Sequence, residues 1–571
     1  MARCPNSHNA FAPEMKRSRS KSPQLLSGLT GKALKNPNLP CLESQLKTAY
    51  RIADTFPDAV YQTAEELNEL SSSEKAGLED LRALTFVTID GEDARDFDDA
   101  IAVEKNAQGF RLWVAIADVS RYVPKTRQNR TLSLDAEAQR RGNSFYFPTS
   151  VAPMLPPRLS TDLASLRQDA ERPVMVCELW LTAAGEVRKS RFSQALIRSA
   201  ARLSYTEVKG LLLTPDPAIK NRLLALPKAN DILRLLADAL SLSEILRAQR
   251  RSRGSLFLRS YEPCYRLDAE GRIIDLGFRL QHQGHSLVEE CRILANVACA
   301  EHLSQSGLPM LYRTHAQPTQ EDLAQLQKTL SHCQAALPLD LQQRALLPQD
   351  LPKLLKACQG SACEQAVTTL CLRALPKALY STENTGHFGL ASACYCHFTS
   401  PIRRYADLLV HRVLKHSLGS EQLLLAHKRL EMVASHLNRQ EELAQHCQRE
   451  MHKLCSVLYL RQRLGQVFQA LVSHVSQAGF FVELTDIPVS GFVAKRLLPA
   501  SLRLDLAKQR LFDAQTGQSY QFGDSLLVRL ISVWPDKAAI NFLPVAKKGP
   551  SKIQARAARR RKTAKEAAFP R

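Results

Sequence analysis

The sequence predicts a mixed α/β (α+β) body over residues 46–462 followed by a small all-β barrel of the OB type over 463–545. Three observations carry this. A hydrophobic strand at 84–89 runs into an acidic loop and then two further strand-like runs, 100–104 and 110–119. Long stretches of helical periodicity follow, at 231–250 and 286–303. Past Gly465 the pattern changes to five short β-branched and aromatic runs, at 467–472, 479–484, 491–493, 525–533 and 538–543.

Taken in order, residues 1–45 lack periodicity and are rich in breakers, among them Pro5, Pro13, Pro23, Pro37 and Pro40, so a disordered basic arm is expected. Residues 46–82 read as a helical lead-in to the first strand. In 286–303, Leu287, Cys291, Leu294 and Ala298 recur at helical spacing, which leaves Glu290 at the edge of the buried face. A polar helix is expected over 426–462, and residues 546–571 form a basic, disordered tail.

Hydrophobic residues at 44% and charged residues at 23% give a normal globular balance over 571 residues, which excludes a wholly disordered chain. No apolar run approaches the roughly 18 residues of a membrane span, so no membrane partner is expected. The net charge is +21, of which residues 1–43 supply +5 and residues 546–571 supply +9. Basic ends on a mildly basic body point to a polyanion, most simply nucleic acid. Fourteen cysteines without a CxxC pair read as reduced thiols in a cytosol-like compartment. The basic, Ser/Pro-rich amino end leaves an organelle transit peptide open.

The most informative segment is TIDGEDARDFDD at 88–99. Asp90, Asp96, Asp98 and Asp99 fall within ten residues directly after a strand. Like charges this close repel, by about 1 kcal/mol at 4 Å in water and several times that when partly buried. Hard oxygen donors without His or Cys favour Mg²⁺, with Mn²⁺ as the alternative, and such a site suits phosphodiester hydrolysis. The competing reading is an acidic surface turn. No Walker A loop is present: Gly31-Lys32 is followed by Ala33. A second constellation is GHFGL at 386–390 and HFTSPIRRY at 397–405, with Asp407, His411 and Arg412 beyond. Arg403 and Arg404 after a Thr-Ser-Pro turn would make a fork for phosphate oxygens, or would pair with structural acids such as Asp407. Cys394, Cys396, His397 and His387 match none of the usual structural zinc frames.

These two segments closely resemble the RNB catalytic domain of the ribonuclease II/ribonuclease R family. The agreement continues through LWVAIADVS at 112–120, RGNSFYFP at 141–148, ARLSY at 201–205, LVEECRILAN at 287–296 and YRTHAQP at 312–318. The wording is closer to the ribonuclease R branch, and GFFV at 479–482 resembles the marker of its S1-type OB domain. The resemblance implies a processive, hydrolytic 3′→5′ exoribonuclease releasing nucleoside 5′-monophosphates through a Mg²⁺, two-metal mechanism. It implies that Asp90, Asp96, Asp98 and Asp99 form the metal site, with Asp98, Arg403 and Arg404 as catalytic positions. Tyr146, Tyr205 and Glu290 would seat the 3′-terminal nucleotides. The second aromatic of the base clamp falls on Leu258, with Phe257 beside it. On the barrel, Phe480 and Phe481 would reach RNA, although strand alternation lets only one of them do so.

The expected partners are single-stranded RNA and RNA 3′ ends, with ribosome or degradation-complex components as further candidates, for a cytoplasmic monomer. Only about 80 residues precede Thr88, too few for the helical module and two cold-shock domains of the family, so the RNA entry clamp is expected to be thinner. Two rivals stand beside this reading. One is a non-catalytic RNA-binding protein that keeps the fold. The other is a processing enzyme that trims a few nucleotides from an RNA precursor.

Overall fold

The computed structural model describes residues 38–124, 133–257, 261–280, 282–330, 346–359, 364–420, 427–505, 510–535 and 538–545. The expected basic tail, Leu258 and the first 37 residues of the expected arm lie outside them.

A helix lies within the stretch that the breakers marked as an arm. Helix α1, Leu39–Tyr50, occupies the end of the stretch assigned to the arm. Pro40 sits in its first turn, where no backbone N–H is needed, and the Asn38 side chain caps it by accepting the Cys41 N–H at 3.0 Å. The lead-in is not one helix. Pro57 and the Ser71–Glu74 capping box divide it into short helices at Asp58–Glu65 and Ser72–Ala76.

The body is built on a six-stranded sheet: β1 (Glu79–Asp80), β2 (Phe86–Asp90), β3 (Asp99–Asn106), β4 (Gly109–Ala117), β5 (Glu171–Leu181) and β6 (Val187–Ser204), in the order β1-β6-β2-β3-β4-β5. β6 is 18 residues long. Its first two-thirds pair antiparallel with β5 and its end pairs parallel with β2, which closes the circuit of pairings. Residues 112–117 of β4 are all buried, as a continuous apolar run requires when both faces of a strand are covered. Helix α2 (Ala229–Arg253) lies on β3, and helix α3 (Gln283–Gln305) packs on α2 and on β4 and β5. Both extend a few residues beyond the predicted spans. Helix α4 (Tyr405–Ser417) packs on α3 and is buried along nearly its whole length.

Helix α5 (His427–Arg461) joins the two halves. Leu430, Val433 and Leu437 enter the main core, whereas Met451, Cys455 and Leu460 enter a second core shared with the barrel. The barrel closes as β7 (Val467–Ser476), β8 (Gly479–Leu484), β9 (Ser490–Ala494), β11 (Ala539–Pro544) and β10 (Ser525–Trp534), each within a residue or a few of the expected strand. At Gly491 a Cβ would collide with the Phe542 ring, so close crossing of the barrel demands glycine there. A three-stranded sheet between β9 and β10, at Arg503–Asp505, Arg510–Phe512 and Ser519–Gln521, was not anticipated; its strands are too short to show alternation. Among the described residues no disulfide is formed, and no helix is long and apolar enough to cross a membrane.

Candidate active site

Sheet register sets the carboxylates. Asp90 ends β2, paired with Ser204 of β6, and Asp99 begins β3, paired with Ile116 of β4. The loop between them is tied down from several sides. Arg202 donates to the carbonyls of Gly91 and Glu92, both at 2.6 Å. The Ser165 hydroxyl accepts the Phe97 N–H at 3.1 Å and donates to the Arg95 carbonyl at 2.8 Å. Asp96 and Asp98 are therefore held in place.

Asp98 is buried. Its Oδ1 accepts the backbone N–H of Ile402 at 2.8 Å, and its Oδ2 faces Arg403 Nε at 3.3 Å. Burial pushes its carboxyl up to about 8, against the pull of Arg403. Burial, reinforced by the Asp99 charge, pushes Asp90 up to about 7. Asp99 is raised by burial too, opposed by Arg292 and Arg403. Asp96 accepts the Tyr146 hydroxyl at 2.9 Å.

Arg403 is half-buried and also donates to Ser400 Oγ at 3.2 Å. Arg404, expected as a second fork toward phosphate, is turned onto Asp407, donating at 2.8 and 2.7 Å. Asp407 in addition takes the Ser400 N–H at 2.8 Å. Arg404 thus braces the turn that aims Arg403, the structural pairing that the sequence left open.

Arg292 escaped the sequence reading. Its guanidinium lies 3.6 Å from Asp99 Oδ1 and donates to Ser400 Oγ at 2.5 Å. One helical turn on, Asn296 accepts the Phe398 N–H at 2.8 Å and donates to the Tyr395 hydroxyl at 3.0 Å. Both lie in the stretch 287–296, and their i, i+4 spacing on α3 was the available signal.

Tyr205 stacks on His285, with centroids 4.0 Å apart and planes 16° apart. Burial and the nearby Asp90 charge hold its hydroxyl well above the ordinary value. Tyr146 is 36% exposed beside the acids. Glu290 is buried and paired with Arg250 at 2.7 Å, with its other oxygen, Oε2, unpartnered. Phe257 lies against the guanidiniums of Arg247, Arg250 and Arg251 at 4.9–5.2 Å. On the barrel, Phe481 is 43% exposed and packs near Phe492, whereas Phe480 is 0% exposed. The expectation of an RNA contact is corrected for Phe480: alternation along β8 sends it into the barrel core, against Tyr520.

Among the described residues no three His, Cys, Asp or Glu side chains are drawn together as a finished cation cage. The acids form an open set of hard oxygens in which Asp90 Oδ2 is buried without a hydrogen-bond partner. A buried, unpartnered carboxylate oxygen beside other buried acids fits a divalent cation, whose charge would offset the cost of ionising them together.

Residues 78–420 match the family described as the RNB domain, and residues 461–543 match the S1 RNA binding domain. The chain is 37% identical to ribonuclease R of Escherichia coli (strain K12) over 511 residues, covering 86% of this chain and 60% of that protein. Against ribonuclease R of Thermotoga maritima it is 34% identical over 499 residues, covering 86% of this chain and 68% of the relative. The RNase R of Mycoplasma genitalium in complex with ribose-methylated single-stranded RNA superposes with a TM-score of 0.82 at 27% identity, covering 89% of this chain and 78% of that one.

Proposed function

Because the chain belongs to the RNB family, we propose that it is a processive, hydrolytic 3′→5′ exoribonuclease that acts on single-stranded RNA and releases nucleoside 5′-monophosphates. The carrying observation is Asp98, buried between the Ile402 amide and the Arg403 guanidinium in the acidic loop. Asp90, Asp96, Asp98 and Asp99 would hold Mg²⁺, or Mn²⁺ in its place. When bound, one or two such ions supply polarisation of the phosphate and an activated water.

The chain's own residues do the rest. Arg403 offers its guanidinium to the phosphate oxygens as negative charge builds on them, and Ser400 and Asp98 aim it. Arg404 and Arg292 keep that turn and Asp99 in place. Tyr146 offers a face to a terminal base without sequence preference, worth about 1–3 kcal/mol. Tyr205 and Glu290 line the other side of the terminal nucleotides. We assign residues 46–462 as the catalytic unit and 463–545 as the RNA-binding barrel, with α1 running into the first of them. Phe481 is the barrel aromatic available for stacking.

Digestion of one single-stranded RNA, labelled at the 3′ or at the 5′ end, with Mg²⁺ or with a chelator, tests this. Labelled mononucleotide released from the 3′ end, with full-length 5′-labelled RNA giving way to an end product of a few nucleotides and no accumulating ladder, is expected only with the metal. No release would point to a non-catalytic binder, and a single shortened species to a trimming enzyme.

A further inference from the structure

We propose that helix α1, through Glu43, sets the position of Tyr146 and, through the tyrosine hydroxyl, of Asp96. The inference rests on the reading above in taking Tyr146 as a wall of the RNA site. Glu43 lies ahead of the segment that matches the RNB domain, and more than 100 positions from its partners.

Glu43 is a carboxylate only 1% exposed. Its Oε1 accepts the Thr149 N–H at 2.7 Å, and its Oε2 accepts the hydroxyls of Thr149 at 2.7 Å and Ser150 at 2.5 Å. Lys47, one turn on, donates to Ser150 Oγ at 2.8 Å and lies over the Phe147 ring at 5.0 Å. All of these partners belong to the turn closing the short hairpin in which Tyr146 pairs with Val151. Tyr146 in turn donates to Asp96.

Anchoring α1 does not call for this. Leu39, Leu42 and Leu46 are already buried, Leu39 and Leu46 in the barrel-side core. Burying a carboxylate is costly unless its oxygens are met by donors. Here every donor bonded to Glu43 comes from the one turn that follows Tyr146. The helix therefore connects the barrel-side core to the aromatic wall of the carboxylate site, and Glu43 is a positioning residue.

The test is steady-state kinetics on a single-stranded RNA of about five nucleotides, with hydrogen exchange of the RNA-free protein beside it. Glu43→Ala should raise KM about five- to tenfold, more than it lowers kcat, and Glu43→Gln should restore most of the loss. Tyr146→Ala should raise KM about tenfold or more, as loss of a stacked base implies. The double variant Glu43→Ala/Tyr146→Ala should be no worse than Tyr146→Ala. Amides of residues 145–152 should exchange faster in Glu43→Ala. Should that variant fail to fold, Thr149→Val/Ser150→Ala removes the same bonds from the other side and should show the same effects. Additive losses in the double variant, or unchanged exchange at 145–152, would overturn the proposal. Absence of turnover in the unaltered protein would overturn the nuclease reading instead, and the exchange measurement still decides the role of Glu43.

Discussion

Asp98 serves two partners with one carboxylate. One oxygen is fixed by the Ile402 amide and the other faces Arg403. Asp98→Asn keeps the shape and the amide contact but removes the charge. It is expected to lower turnover by on the order of 10³-fold while RNA binding, read by filter retention or anisotropy, stays within about threefold. Turnover within tenfold of the unaltered protein would remove Asp98 from the centre. The four acids stood out because they fall within ten residues and follow a strand directly. Arg292 was not, because nothing in a helix read alone says which acid, nearly two hundred positions away, it will meet. Arg404 shows the same limit in reverse. Two adjacent arginines look alike in sequence, and only the fold of the turn sends one toward the acids and the other onto Asp407.

At the scale of elements, strand β8 separates two phenylalanines by exposure. Phe481→Ala is expected to weaken RNA binding by about 1–3 kcal/mol with little change in Tm. Phe480→Ala is expected to destabilise the barrel by about 3–5 kcal/mol through the cavity it leaves, read by thermal unfolding. Alternation announced that the two must differ; which one faces inward depends on the pairing of β8 with β7 and β9. Helix α5 meets the barrel through His452, whose Nε2 donates to the Pro488 carbonyl at 2.5 Å and whose Nδ1 accepts the Tyr265 hydroxyl at 2.9 Å. That ring is neutral, and burial holds its pKa below the ordinary value. The unfolded chain takes up the proton near pH 6.5, whereas the folded one does so only at lower pH. Its contribution is therefore full above that value and is lost as the pH falls through it. The stability advantage of the unaltered protein over His452→Gln should shrink between pH 7.5 and 5.5 in denaturant titrations; a constant gap would rule the seam out as the source.

Across the whole molecule, charge and architecture were readable early. A run of short strands after a long helical region was enough to foresee a closed barrel. The helix at Leu39–Tyr50 was not foreseen, because prolines in a first turn look the same as prolines in a loop. Residues 546–571, with ten basic residues against one acidic, should bind additional phosphates. Removing them is expected to reduce the slope of log binding constant against log salt by about 0.7 for each phosphate no longer neutralised, measured between roughly 50 and 300 mM salt. An unchanged slope would deny the tail that role.

The bond between the Asp98 carboxylate and the Ile402 amide spans 304 positions. During synthesis a chain that has emerged only as far as β6 already holds all four acids but lacks the turn that completes them, and domains fold as units once their parts are available. The proposed centre is therefore assembled only after most of the body has left the ribosome, whichever half of it folds first.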